Sequence, residues 1–162
     1  MSVNVYIEVS SNSNIKYEHD HKTGRIICDR ILHTPMTYPY NYGYVPETLA
    51  GDGDPLDVLV VTSYQLIPGC YVECKFLGVL YTEDEKGKDE KIIAVPVSKI
   101  DPYMESVNKL SDLKKSQLDK IKFFFENYKS LEPDKWVKVT GWGTREEAVT
   151  IYQSSKNSHD EQ

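Results

Sequence analysis

The stretch DGDPLDVLV sets Asp52, Asp54 and Asp57 directly against an apolar run. Asp52 and Asp54 are two apart on a non-helical segment, so their side chains lean the same way, and Asp57 heads a strand. An unpaired carboxylate there would cost several kcal/mol or give up its charge. A bound divalent cation removes that cost. The alternative is an Asp-Gly-Asp-Pro turn with solvated carboxylates. A second acidic cluster, TEDEKGKDEK, adds Asp84, Glu85 and Asp89, followed by Lys91, and favours the metal reading. An EF-hand loop is excluded, because counting from Asp52 its glycine position holds Asp57 and its final glutamate position holds Ser63. Few carboxylates per ion suit Mg²⁺ or Mn²⁺, which keep water and share their coordination with phosphate oxygens.

Candidate phosphate-holding groups are scattered. Lys16, Arg30, Lys91 and Lys129 are each either a solvated surface charge or part of a converging pocket. Arg30 lies in the strand pattern RIICDRIL beside Asp29, where a planar fork could hold phosphate at two points. TYPYNYGYVP places Tyr38, Tyr40, Tyr42 and Tyr44 at alternate positions, either for core or interface contact or to offer hydroxyls to phosphate oxygens. His19, His21 and His33 have no ligand spacing and receive no catalytic role. Cys28, Cys70 and Cys74 match no metal or redox spacing and read as reduced core thiols, the last two on one strand face. The net charge of −6 opposes polyanion binding, so an anionic ligand needs local cations, bound metal or both.

The elements that must position these groups are mostly strands. The 162 residues, 40% hydrophobic and 27% charged, fit one globular domain. Val3–Val9 alternates apolar and polar residues, and residues 15–18 and 25–32 flank HDHKTG as a hairpin. Residues 33–55 carry prolines and glycines with little periodicity, which predicts a long ordered loop. Residues 56–62, 71–81 and 91–97 read as strands, with TEDEKGKDE as a charged turn. Leu118, Ile121, Phe125 and Tyr128 recur at helical spacing, with Asp112 in the first turn and Lys129 in the last. WVKVT is a further strand, and Thr144 with Glu147 forms a capping box opening a second helix toward Tyr152. The polar SSKNSHDEQ reads as a frayed tail, so residues 1–153 form the domain and 154–162 a disordered tail. Strands first and helices after give an α+β, mainly β class with a small-barrel arrangement. No signal peptide or membrane span is expected, and a cytoplasmic location fits best.

Together these residues resemble the soluble family I inorganic pyrophosphatases of the short prokaryotic type. DGDPLDVLV matches that family's signature, D-[SGDN]-D-[PE]-[LIVMF]-D-[LIVMGAC]. IEVSSNSNIKYE, DRILHTPMTYPYNYGYVPETL, DEKGKDEKIIAVP and FFFENYKSLEPDKWVKVTGW extend the resemblance from about residue 3 to 152. The resemblance implies that Asp52, Asp57 and Asp89 hold the tightest metal, with Asp57 bridging to a second ion. It implies that Asp84, Asp89 and Glu8 help bind metals arriving with substrate, and that Asp54 positions or deprotonates the attacking water. Lys16, Arg30, Tyr42, Lys91, Tyr128 and Lys129 match the pyrophosphate-binding set, and Glu18, Tyr38 and Glu85 match supporting positions. The implied fold is a five-stranded OB-like closed barrel with two flanking helices, assembled as a hexamer and using several Mg²⁺ ions, with Mn²⁺ or Zn²⁺ as substitutes. Ser10 departs from the proline of many members. Two other readings are a metal-dependent phosphoesterase acting on another phosphate compound and an OB-like module for single-stranded nucleic acid. The charge balance opposes the latter, and no Walker A loop is present.

Overall fold

The structure, a computed structural model, describes residues 1–162. Its strands are β1 (Val3–Val9), β2 (Ile15–His19), β3 (Ile26–Ile31), β4 (Asn41–Tyr44), β5 (Asp57–Val60), β6 (Tyr71–Asp84), β7 (Gly87–Pro96) and β8 (Val137–Gly143). Helix α1 (Lys115–Asn127) precedes β8 and α2 (Arg145–Asp160) follows it. Five strands close into a ring in the order β1-β4-β5-β7-β6, and β6 pairs back onto β1. Closure removes the free edges that an open sheet of this size would expose. All pairings in the ring are antiparallel except β5 with β7, which run parallel.

The long β6 makes closure possible. Residues 71–74 pair with β1, residues 79–84 pair with β8, and its other edge follows β7 from Cys74 to Asp84. The pairing is irregular between Phe76 and Gly78, where the strand changes partners. The hairpin β2–β3 forms its own two-stranded sheet beside the ring. No helix is long and apolar enough to cross a membrane.

Alternation along β5 and β7 sorts their side chains into two cores. Val58, Val60, Ile92 and Ala94 join an aliphatic cluster closed by Ala148 and flanked by Val149, Ile151 and Tyr152 of α2. Leu59, Val61, Ile93 and Val95 face a second cluster that includes Tyr38, Tyr42 and, from α1, Ile121, Phe124 and Phe125. Burial on both faces explains why these strands read as continuous apolar runs rather than alternating ones.

Several expectations need correction. Residues 33–55 are not loop throughout, because Asn41–Tyr44 is a fully buried strand paired on both edges. TEDEKGKDE is not an extended turn, because β6 runs to Asp84 and β7 starts at Gly87, so most of its charges sit on paired strand ends. Asp112 lies outside α1, in a 3₁₀ turn where its carboxylate accepts the backbone N–H groups of Asn108 and Lys109. The stretch read as a frayed tail is helical, since α2 continues from Arg145 to Asp160. Its start follows the expected box, with Thr144 and Glu147 exchanging hydrogen bonds at 2.7 and 3.2 Å. Cys74 is buried but Cys28 is exposed on β3, and Cys70 is half-buried just before β6. At Ser10, the hydroxyl donates to the Leu66 carbonyl at 2.6 Å, a bond that proline could not make.

Candidate active site

The ring, the hairpin and the end of α1 enclose a cleft of about 520 Å³ lined by 23 residues. All fifteen residues singled out from the sequence lie on it, from Glu8 to Lys129. Nine carboxylates face six lysine and arginine side chains, leaving the cleft net negative.

Local structure aims each group. The register of β1 on β4 breaks between Ile7 and Val9, so Glu8 sits in a bulge that turns it out of the strand's alternation. The close approach there requires glycine at position 43, where a Cβ would run into the Tyr6 carbonyl. The Glu8 carboxylate accepts the His19 backbone N–H at 2.7 Å, joining the ring to the hairpin. Asp57 heads β5 opposite Tyr44 and beside Lys91. The Lys91 ammonium reaches Asp57 at 2.7 Å, Asp89 at 2.8 Å and the Tyr42 hydroxyl at 2.8 Å. Asp52 accepts the Asp54 backbone N–H at 3.0 Å, and Gly53 between them has φ +88°, so the expected turn chemistry coexists with a place in the cleft. At the other strand tips, Lys129 meets Asp84 at 3.3 Å and Glu85 at 3.5 Å. On the hairpin, Lys16 lies between Glu18 at 3.1 Å and Asp29 at 3.6 Å.

The tyrosine stripe divides. Tyr38 and Tyr42 sit on the aromatic cluster with their ring centroids 5.4 Å apart, and both reach the cleft. Tyr40 instead bonds Gln117 of α1 at 3.0 Å. Tyr44 belongs to a rim cluster in which its hydroxyl lies 2.6 Å from His19 Nδ1, and the His19 ring stacks on Tyr6. His19 and His21 both line the cleft, although spacing alone gave them no role. Sequence reading missed Lys135 and Asp29 as lining residues, and Tyr44, one of the stripe offered for packing or for phosphate, lines the cleft as well. Asp29 had a signal, its place beside Arg30 in a strand, whereas Lys135 had none.

Electrostatics shows what the site needs. Burial, joined by the charges of Asp57 and Glu18, pushes the Glu8 carboxyl up to about 7 despite the His19 N–H and Lys16. Burial also raises Asp52, helped by Asp89, Asp57 and Asp54. Asp57 is raised by burial against the pull of Lys91. Burial works against charge on Lys91, yet Asp57, Tyr42 and Asp89 hold it protonated well above the ordinary lysine range. No three histidine, cysteine or carboxylate side chains converge into a preformed cage. Even so, the donor set is all hard oxygen, and its mutual repulsion is what a divalent cation relieves, so the residues fit such ions.

Comparison with known proteins gives a consistent result. The family profile described as inorganic pyrophosphatase matches residues 5–160. The inorganic pyrophosphatase of Nanoarchaeum equitans is 52% identical over the whole of both chains. That of Sulfolobus acidocaldarius is 53% identical over 93% of this chain and 87% of its own. The solved inorganic pyrophosphatase of Helicobacter pylori superposes with a TM-score of 0.97 at 48% identity, covering 98% of this chain and 94% of that one.

Proposed function

The chain belongs to the inorganic pyrophosphatase family and hydrolyses inorganic pyrophosphate to two orthophosphates, and from that premise we propose how its residues divide the work. The carrying observation is the cleft itself, in which carboxylates outnumber the cations that line it. Pyrophosphate is a dense anion, so this net negative cleft accepts it only together with divalent ions. Asp52, Asp57 and Asp89 would hold the tightest ion, with Asp57 also serving a second one, while Asp84, Asp89 and Glu8 would serve ions that arrive with substrate. Mg²⁺ is the ion the all-oxygen donor set favours, with Mn²⁺ or Zn²⁺ as substitutes. Bound divalent ions supply charge for the phosphoryl oxygens and a more acidic water.

The chain's own residues do the positioning. Asp54, anchored through its backbone to Asp52, accepts a proton from the attacking water. Lys16, Arg30, Lys91 and Lys129 and the hydroxyls of Tyr42 and Tyr128 hold the phosphate oxygens. Glu18, Glu85 and the buried Tyr38 keep those groups in place. Two phosphoryl groups held this way need no covalent intermediate, because orientation and fixed charge carry the catalysis. Asp54→Asn is expected to fold normally and to lower turnover by a factor of about a hundred or more. Full activity in the Asn variant would remove Asp54 from this role. Phosphate release with Mg²⁺ is expected to be far faster from pyrophosphate than from ATP or a simple monoester.

The nucleic-acid reading is not favoured, since Tyr38 and Tyr42 are buried in the aromatic cluster rather than offered as stacking faces. Assembly as a hexamer is also part of the proposal. It is supported by Tyr71 and Ile26, exposed apolar side chains that lie near Tyr6 and Gly69, with exposed Ile67 two residues before that glycine. Sedimentation of the purified chain tests it. A cytoplasmic location accords with its three free cysteines.

A further inference from the structure

Building on the role of Arg30 as a phosphate ligand, we propose that Glu132 is the positioning residue that sets the Arg30 guanidinium and fixes its distance from Lys129. Glu132 lies in the turn after α1, only 8% exposed, and it took no part in the sequence reading. Its Oε1 accepts from Arg30 Nη1 across 102 residues of chain, while Asp29 accepts from Arg30 Nε at 2.8 Å. Two carboxylates therefore grip the planar group at two points, which sets its place and its plane. Three of its five N–H donors, one on Nη1 and both on Nη2, remain for an anion in the cleft that Arg30 lines.

Two observations separate this from an ordinary structural ion pair. Glu132 Oε2 is buried without any partner, whereas a pair built for stability would use both oxygens in a fork-to-fork contact. A carboxylate buried at that cost and bonded to a single nitrogen leaves the rest of the guanidinium free. Second, the Glu132 backbone N–H donates to the Lys129 carbonyl at 3.0 Å, so one short turn carries both Lys129 and the acid that holds Arg30. The hairpin bearing Arg30 makes no ladder with the ring, so this contact ties Arg30 to the turn that carries Lys129, linking two of the four phosphate-holding cations.

The test is a double-mutant cycle read as kcat/KM for pyrophosphate with Mg²⁺, alongside Tm. Glu132→Ala is expected to lower kcat/KM about tenfold or more, the scale of one charged hydrogen bond. Glu132→Gln, which keeps an oxygen for Nη1, is expected to recover part of that loss without lowering Tm. In an Arg30→Lys background both substitutions should add almost nothing. Equal losses in the two backgrounds would overturn the inference, because Glu132 would then act independently of Arg30. Should the Ala variant not fold, the Gln variant decides by the same comparison. Unchanged kcat/KM in Arg30→Lys alone would instead overturn the assignment of Arg30 to phosphate, and the inference with it.

Discussion

The ring strands bury both faces, and the two cores they make differ in kind. The cluster under α2 is almost wholly aliphatic, with Phe76 as its only phenyl ring, and none of its members reaches the cleft. The cluster under α1 holds Tyr38, Tyr42, Phe124 and Phe125, and Tyr128 rests on it with its ring stacked 5.0 Å from that of Phe124. Three of those tyrosines line the cleft. The Lys91 ammonium lies 5.4 Å from the Tyr42 ring centroid and 5.8 Å from that of Phe125. One core therefore only holds the ring shut, while the other also forms the floor of the site. Aromatic residues suit the second task, because a rigid ring presents an apolar body to the core and a hydroxyl to the wet side.

That contrast can be broken by experiment. Phe76→Ala and Phe125→Ala should each cost about 3–5 kcal/mol of stability, seen in urea unfolding. Measured well below the unfolding midpoint, only Phe125→Ala should also lower kcat, and matched losses in both would dissolve the distinction. Mg²⁺ at about a hundred times its dissociation constant should stabilise the fold by about 2.7 kcal/mol, and chelation should remove that gain. Hydrogen exchange should then show added protection concentrated at the strand ends of the cleft rather than beneath α2. Tyr42→Phe takes away the hydroxyl that bonds Lys91, and is expected to cost about 1 kcal/mol in stability while lowering kcat/KM. The smallest effect belongs to the far side. The Thr144 backbone N–H, with the Tyr81 hydroxyl and the Thr144 hydroxyl, holds the Glu147 carboxyl below its ordinary range. That support is present above the unfolded glutamate pKa and is lost as pH falls through the lower folded value. Glu147→Gln should therefore lower Tm slightly at neutral pH, match the wild type in acid, and leave turnover untouched.

Legibility followed the same division. β1, β5 and β7 were readable because alternation or an apolar run marks them, and the acidic groups were readable because charge beside such a run demands an explanation. β4 was not, since the alternate tyrosines of Asn-Tyr-Gly-Tyr sit among prolines and glycines that read as loop, and it is a strand because β1 and β5 satisfy both its edges. The end of α2 was missed because its surface is polar, with Ala148 and Ser155 its only buried residues. Glu132 was invisible because its significance comes from Arg30, far away in sequence, and no local pattern reports that meeting.

The parallel pairing of β5 with β7 has one more effect. It lays Asp57 beside Lys91 only after β6 has run out and back, and the cleft takes residues from Glu8 as far along as Lys135. Contacts this distant form slowly, and a nascent fragment that ends before Tyr128 and Lys129 still lacks two of the groups that line the cleft. The full cleft exists only once the turn after α1, as far as Lys135, has been made and packed.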